Sequence, residues 1–541
     1  MFDEEHSWVG VSLSELYGSQ CPWDAPQFPV IKPAYNHEVL FHVSDDGYNE
    51  INNQPPKPQS GVDKWDQDYV RMPCSSHSLH PVVEGDTTNL KKRWEIIQNA
   101  LEKPMKNSQD LEDAILSYNT EFKSIWEFSA LHKLFNEYLE EEESKSFFSV
   151  TLPAITKLAL ALPRLVQSPI PLLRLYQSGR SKAVLGKLKC ICHYFRKVCM
   201  KVPVGVMTFM RVSIPLQDCP EWASSNKLIG GTPLHVDSKK KIEDGTGLIQ
   251  MNFANRYLGG GVLRRGCVQE EIRMVICPEL MVSMLFTEVL APTEALLTIG
   301  CERYSIYSGY SSTFEWAGDY DDTTPYDSSG RRRCAVLAID ATPFRKPEDQ
   351  YKPEAILREL NKASVSACTS TFEARLSYPG VATGNWGCGA YRGSPHLKSL
   401  LQIMACTEAR RPIAYYTFDD TKLRNDIINI YKLLSKHNVT VGQLYELILK
   451  FNETDVPRSQ LYAFIRQALR NEEKSTPSKF EGHVYMGLQG VPGLFSCMED
   501  TPMGSEVFII ESGAGFVIES GTSVKLVAKY GLEKHRAESP L

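Results

Sequence analysis

The sequence predicts an α/β protein with a helical region ahead of it. Three observations carry this. Between about Val204 and Ala468, short apolar runs rich in β-formers alternate with longer helical ones. Glycine-rich stretches fall where those strands end. From Trp94 to about Arg196, apolar residues recur at helical spacing.

The alternation comes first. "VGVMTFMRVS", "GLIQMNFA", "ALLTIG", "CAVLAIDA" and "IAYYTF" read as strands. "EEIRMVICPELMVSMLFTEVL" and "SPHLKSLLQIMACTEA" read as helices. In open α/β sheets ligands collect at the strand ends. In the helical region, Leu111, Ala114, Ile115 and Tyr118 form one stripe, with Asp110 able to cap its start. "FFSVTLPAITKLALALP" reads as a further helix closed by Pro163, and Glu140 to Glu143 as a solvated helix end. The expected organisation is an extended N-terminal arm over 1–90, rich in Pro, Ser, Asp and Gly with isolated aromatic anchors. A helical accessory region follows over 91–203, the α/β part over 204–470 and a divergent tail over 471–541. In the tail, "FIIESGAG" and "FVIESGTS" echo one another and suit a hairpin.

Composition narrows the class. The chain has 541 residues, 42% of them hydrophobic, enough for a large core. A net charge of -6 excludes a basic nucleic-acid-binding surface across the whole chain. Lys239-Lys240-Lys241 and Arg331-Arg332-Arg333 read as solvated surface turns. "MFDEEHSWVG" lacks the apolar core of a secretory leader, and no apolar run is long enough for a spanning helix. The 14 cysteines are scattered through apolar runs, which fits reduced thiols better than a disulfide framework. "CICH" (Cys190, Cys192, His193) lacks Cys-x-x-Cys spacing and a second pair, so no metal centre is expected.

The chemistry concentrates in "NFANRYLGGGVLRRGCVQEEIRMVICPEL". Glycines let backbone approach a bulky anion, and a helix start beyond them favours phosphate. The glycines are contiguous, which fits neither the Rossmann nor the Walker pattern. A nicotinamide-dependent oxidoreductase therefore lacks its fingerprint. Glu270 and Glu271 are helix neighbours and point about 100° apart, so they cannot clamp one bond from opposite faces. One can hold substrate while the other handles the proton, and a partly desolvated glutamate suits a general acid. Two helix-start glutamates also complement the dipole without doing chemistry, and the residues alone leave both readings open. "GVATGNWGCGAYRG" supplies a second glycine-rich turn. "CERYSIYSGYSSTFEW" clusters Tyr304, Tyr307, Tyr310 and Phe314, which either cover a ligand or pack.

Together these blocks resemble the poly(ADP-ribose) glycohydrolases, most of all their animal, insect-like members. The triple glycine followed by Gln-Glu-Glu matches the family signature. "GYSSTFEW", "AIDA", "RELNKA", "ATGNWGCGA" and "YYTF" match further blocks, and "YNTEFKSIWEFSALHKLF" and "SPIPLL" match the helical region. The resemblance covers roughly residues 60 to 470. It implies a macrodomain-like mixed sheet flanked by helices, with an N-terminal helical accessory domain. It implies hydrolysis of ribose–ribose bonds in poly(ADP-ribose), with release of ADP-ribose and no metal or cofactor. Glu271 matches the general acid/base. Glu270 and Asn255 match residues that hold the terminal ribose, with Gln269 in the same contact set. Gly259, Gly260 and Gly261 match the diphosphate-facing loop, and Ile242 and Glu243 the adenine-contacting pair. Tyr310 matches the tyrosine that closes over the ligand. Asn385, Tyr391 and Phe418 match further contacts, with Tyr391 where the family usually has Phe. The implied partners are poly(ADP-ribose) and ADP-ribosylated proteins, with no membrane and no sequence-specific nucleic-acid binding. The resemblance also implies a monomer of nucleus and cytoplasm, acting in the DNA damage response.

The chain also departs from the pattern. Asn252 stands where the family has a catalytic Asp, which removes a charge and replaces an acceptor with a donor. Arg392 and Asp419 stand where the family has Gly. "SVSACTS" replaces an aromatic continuation after "NKA", and "LLRLYQSGRSKAVLGKLKCICHYF" lacks several tens of residues that relatives carry, which could expose core. These departures leave a second expectation: a weakened paralogue that binds ADP-ribose.

Overall fold

The structure is a computed structural model. It describes residues 7–17, 60–65, 71–81, 89–165, 182–201, 203, 205, 207–285, 287–327, 330–367 and 379–475, with four two-residue strands at 41–42, 57–58, 516–517 and 525–526. The chain divides into two units, Met1–Ser475 and Thr476–Leu541.

In the first unit, an eight-stranded mixed sheet is built from β1 (Trp8–Gly10), β2 (Thr208–Ser213), β3 (Leu234–Asp237), β4 (Ile249–Ala254), β5 (Glu294–Gly300), β8 (Arg332–Asp340), β9 (Val381–Gly384) and β10 (Ile413–Tyr416). A separate hairpin pairs β6 (Ser305–Ser308) with β7 (Glu315–Asp319). The sheet order is β1-β3-β10-β9-β4-β8-β5-β2. The five strands from β3 to β8 in that order are parallel, and antiparallel pairs close both edges. Parallel strands covered on both faces need continuous apolar runs, and β4 and β10 are buried almost throughout.

The helices that matter here are α1 (Lys182–Met200), α2 (Gln269–Ile276), α3 (Pro353–Ala367), α4 (Pro395–Glu408), α5 (Thr421–Lys436), α6 (Val441–Asn452) and α7 (Leu461–Ser475). α4 is buried on nearly every face, because it lies against β10 and is covered by α3, α5, α6 and α7. Thr440 and Gln443 start α6 with a capping box. The main core joins Leu337, Ile339, Leu400, Leu401, Tyr415 and their neighbours across sheet and helices.

A buried ionic lattice fixes the far end of β8. Asp340 takes Arg358 Nη2 at 2.6 Å and Lys362 Nζ at 2.7 Å. Glu359 pairs with Lys398, whose Nζ also lies 3.9 Å from the Trp386 ring centroid. Breaking one member of such a lattice costs about 3–5 kcal/mol. The "RELNKA" block supplies Arg358, Glu359 and Lys362, so its role here is to anchor β8.

Several expectations need correction. The arm is not all loop: Trp8–Gly10 adds an edge strand beside β3, and Leu16 behind it is buried. β3 and β9 were missed because "LHVD" and "VATG" lack the unbroken apolar run that "IAYY" of β10 keeps over the same length. The long helix after Glu270 ends at Ile276; Pro278 cannot continue it, and a 3-10 segment runs Pro278–Leu285. Asn107, not Asp110, caps the Ser108–Ser117 helix. Pro163 lies inside a short helix, Leu162–Leu165, instead of closing the preceding one. Arg331 is not in a solvated turn but is buried in an ion pair with Asp327 at 2.9 Å, and Arg332 pairs with Glu302 at 3.2 Å. His193 of "CICH" meets Asp319 at 2.9 Å, and no group of three or more metal-ligating side chains occurs among the described residues. No helix among them is long and apolar enough to cross a membrane.

Helix α7 continues through Asn471 to Ser475, past the point where the tail was expected to begin. In the second unit, Phe516–Val517 pairs with Lys525–Leu526, while the first copy of the tail echo lies outside the described residues. "SPIPLL", the first ten residues of the shortened stretch (172–181) and the end of "SVSACTS" also lie outside them, while the rest of that stretch belongs to α1.

Candidate active site

The site forms where the end of β4 meets the start of α2. Gln269 joins the two. Its Oε1 accepts from Phe253 N at 2.8 Å and its Nε2 donates to Met251 O at 3.0 Å. The side chain thus completes the backbone pairing of β4 and sets the helix start against it. The carboxylates that follow are then held by backbone amides. Glu270 accepts from Asn255 N at 2.8 Å and Gly259 N at 2.8 Å. Glu271 accepts from Gly261 N at 2.9 Å and from Val268 N at 2.8 Å.

The glycines are required by these carboxylates. A Cβ on Gly260, at φ +46°, would stand 2.7 Å from Glu271 Oε1 and 3.0 Å from Glu270 Oε2. A Cβ on Gly266 would stand 2.5 Å from Glu271 Oε1. The resemblance made Gly259, Gly260 and Gly261 a diphosphate-facing loop. In the structure all three have partners inside the chain: Glu270, Tyr257 O and Glu271.

Both glutamates are buried, Glu270 to 2% and Glu271 to 6% exposure. Burial pushes the Glu270 carboxyl up to about 8; the Asn255 and Gly259 amides oppose this, the Glu271 charge adds to it, and a hydrogen bond from Asn252 opposes it. Asn252 is itself buried, and its Oδ1 has no hydrogen-bond partner among the described residues.

The other expected residues fall into two groups. Asn255 donates through Nδ2 to Tyr391 Oη at 3.0 Å, and Tyr310 Oη accepts from Gln269 N at 3.2 Å. Phe418, 54% exposed, lies against Tyr310 with ring centroids 5.0 Å apart. These residues surround the glutamates. Asn385 and Glu243 bond elsewhere. Asn385 accepts from Tyr415 Oη at 3.0 Å and donates to Thr417 O at 3.2 Å. Glu243 accepts from Tyr307 Oη at 2.6 Å, with Lys241 Nζ 3.9 Å from the Tyr307 ring centroid and Ile242 buried beside it. Of the four clustered aromatics, Tyr304 and Phe314 are packed in the interior.

At two departures from the family pattern the backbone is left-handed: Arg392 has φ +62° and Asp419 φ +63°, the conformation glycine adopts without cost.

Sequence reading missed one residue. Lys187 on α1 is buried at 2% exposure and points into the turn 261–266. Its Nζ donates to Gly261 O at 3.2 Å, Val262 O at 2.8 Å and Arg264 O at 2.8 Å, and to Gly266 O. Burial lowers its pKa, while Cys267 and Glu271 oppose the change. The helical region thereby holds the turn that holds Glu271. The available signal was a lysine on the apolar side of a helix, which snorkelling also explains.

A mixed sheet flanked by helices, with two amide-held carboxylates at the end of its strand β4, has the architecture of a macrodomain fold. Family comparison agrees. The model of the poly(ADP-ribose) glycohydrolase macro domain fold matches residues 219–425, and that of the glycohydrolase helical domain matches residues 139–179 and 173–211. Poly(ADP-ribose) glycohydrolase 1 of Arabidopsis thaliana is 30% identical over 59% of this chain and 80% of its own length. Probable poly(ADP-ribose) glycohydrolase 2 of the same plant is 33% identical over 52% of this chain and 62% of its own length. Poly(ADP-ribose) glycohydrolase 2 of Caenorhabditis elegans is 34% identical over 54% of this chain and 61% of its own length. The chain belongs to the poly(ADP-ribose) glycohydrolase family.

Two predictions follow from the geometry. Lys187→Met leaves four carbonyls without their donor. It should cost roughly 1–3 kcal/mol in urea unfolding and speed tryptic cleavage at Arg264 and Arg265; equal stability and cleavage would remove the clamp role. Glu270 keeps a proton in the folded chain that the unfolded chain releases above its ordinary value of 4.5. Its contribution to stability is therefore lost as pH rises from about 4.5 to about 8, by up to a few kcal/mol. Glu270→Gln does not titrate, so its melting temperature should gain on the parent's between about pH 5 and pH 8. A difference that stays constant with pH would contradict the raised value.

Proposed function

We propose that this chain hydrolyses the ribose–ribose O-glycosidic bonds of poly(ADP-ribose) and releases ADP-ribose, with Glu271 as general acid/base. The observation that carries the reading is the convergence of the two carboxylates on Gly260, each fixed by backbone amides. Glu271 protonates the leaving ribose oxygen as oxocarbenium character develops, then takes a proton from the attacking water. Glu270 and Asn255 hold the terminal ribose, with Tyr391 behind Asn255. Tyr310 and Phe418 cover the ligand from one side. Ile242 and Glu243 serve the adenine, beside Tyr307. Asn385 and the glycine loop complete the binding surface. A polyanionic substrate makes binding weaken with salt. The chain acts as a monomer on ADP-ribosylated proteins in nucleus and cytoplasm, within the DNA damage response.

A second reading has its own observation. Asn252 offers Glu270 a hydrogen bond where a carboxylate would repel it, and its buried Oδ1 has no partner among the described residues. That suits a chain that binds ADP-ribose and turns it over slowly.

One assay separates the readings: ADP-ribose release by the parent, Glu271→Gln and Asn252→Asp, each with its ADP-ribose affinity. The parent should be active, and Glu271→Gln should lose about 10²–10⁴-fold in turnover while still binding. Equal rates in parent and Glu271→Gln would remove the assigned role. An idle parent that Asn252→Asp awakens, with affinity unchanged, would establish the second reading.

A further inference from the structure

Behind the site, at the other end of α2, lies a cluster that the reaction does not use. Arg273 is buried at 5% exposure. A buried guanidinium needs an anion. Among the described residues no carboxylate forms an ion pair with it; Glu243 acts on it only through space. Its Nη2 instead donates to Cys334 Sγ at 3.3 Å, and its Nε has no partner. Cys334, on β8, is partly exposed. Cys301, just past β5, places its Sγ 3.6 Å from Cys334 Sγ. Cys277, the cap of α2, stands beside Cys301. Three thiols and one cation, from three elements, thus meet one helix length from the glutamates.

We propose that Cys334 and Cys301 form a peroxide-sensitive dithiol, a modification site coupled through Arg273 to the helix that carries Glu270 and Glu271. Arg273 selects Cys334 as the reactive thiol, because a thiolate there is the anion the guanidinium lacks. The hydrogen bond from Cys301 and the charge of Arg273 hold the Cys334 thiol below its ordinary value, against burial and Asp322, while Cys301 is held well above its own. The Cys334 thiolate attacks hydrogen peroxide, an S–O bond forms, the O–O bond breaks and hydroxide leaves. The Cys301 sulfur then attacks the sulfenic sulfur. An S–S bond forms, the S–O bond breaks, and the departing hydroxide takes the Cys301 proton as water. Two thiols lose two electrons and one peroxide becomes two waters. The two sulfurs must close by about 1.5 Å for this bond. The disulfide is uncharged, so Arg273 loses its anion and α2 shifts, taking the carboxylates with it.

The test uses the whole chain, treated with hydrogen peroxide, alkylated and mapped by mass spectrometry, with ADP-ribose release measured in parallel. The expected result is a dithiothreitol-reversible peptide joining Cys301 to Cys334. Release should fall about tenfold or more and recover on reduction. Cys301→Ser should form no such peptide and should stop at the Cys334 sulfenic acid, which dimedone traps. The activity readout rests on the proposed function; the mapped peptide does not, so a chain that is inactive from the start still tests the dithiol. No joined peptide, a joined peptide lacking Cys334, or undiminished release from an active chain that carries the joined peptide would each overturn the proposal.

Discussion

Everything at the site depends on backbone amides that end on two side-chain carboxylates. Glu270 and Glu271 follow Gln269, whose amide group is locked into the backbone of β4. The register of that contact decides where the glutamates fall. Four amides, from Asn255, Gly259, Gly261 and Val268, then hold the four carboxylate oxygens. Such donors are fixed before any ligand arrives, so the carboxylates need no reorganisation when charge develops. The cost is conformational: Gly260 has no room for a Cβ, and Gly266 has none either.

The two halves of the fold serve this junction from opposite sides. The sheet brings β4 between β9 and β8, and the ionic lattice around Asp340 keeps β8 in place. The helical region contributes through α1, where Lys187 fills the turn between Gly261 and Gly266. The accessory helix therefore acts on the site through four carbonyls. This bears on the shortened stretch 172–195, which runs into α1: Lys187, the residue that matters for the turn, is retained within it.

Much of this was legible in the sequence, and the exceptions have physical reasons. The strands with long apolar runs and the helix α4 could be read because burial on both faces leaves a continuous signal. β1 could not, because three residues carry no period, and β3 and β9 could not, because "LHVD" and "VATG" interrupt the apolar run with polar residues or glycine. The triple glycine and Gln-Glu-Glu stood out in the sequence and meet at the junction of β4 and α2, but their link did not show: nothing in a linear pattern says that a glycine amide will face a glutamate ten residues on. The surface reading of Arg331 failed because Asp327, its buried partner, is a turn residue like any other in sequence. Arg392 and Asp419 were recognised as odd from the family pattern, and their left-handed backbone explains why glycine is the usual choice there.

The central claim is that the carboxylates must sit against a bare Gly260. Gly260→Ala tests it most directly, because alanine keeps the amide and adds only the methyl between Glu270 and Glu271. The measurement is kcat for ADP-ribose release beside the dissociation constant for ADP-ribose, on a variant shown to fold by thermal melting. The account predicts a fall in kcat of about 100-fold with a much smaller change in affinity. Unchanged turnover, or a loss confined to binding, would contradict it.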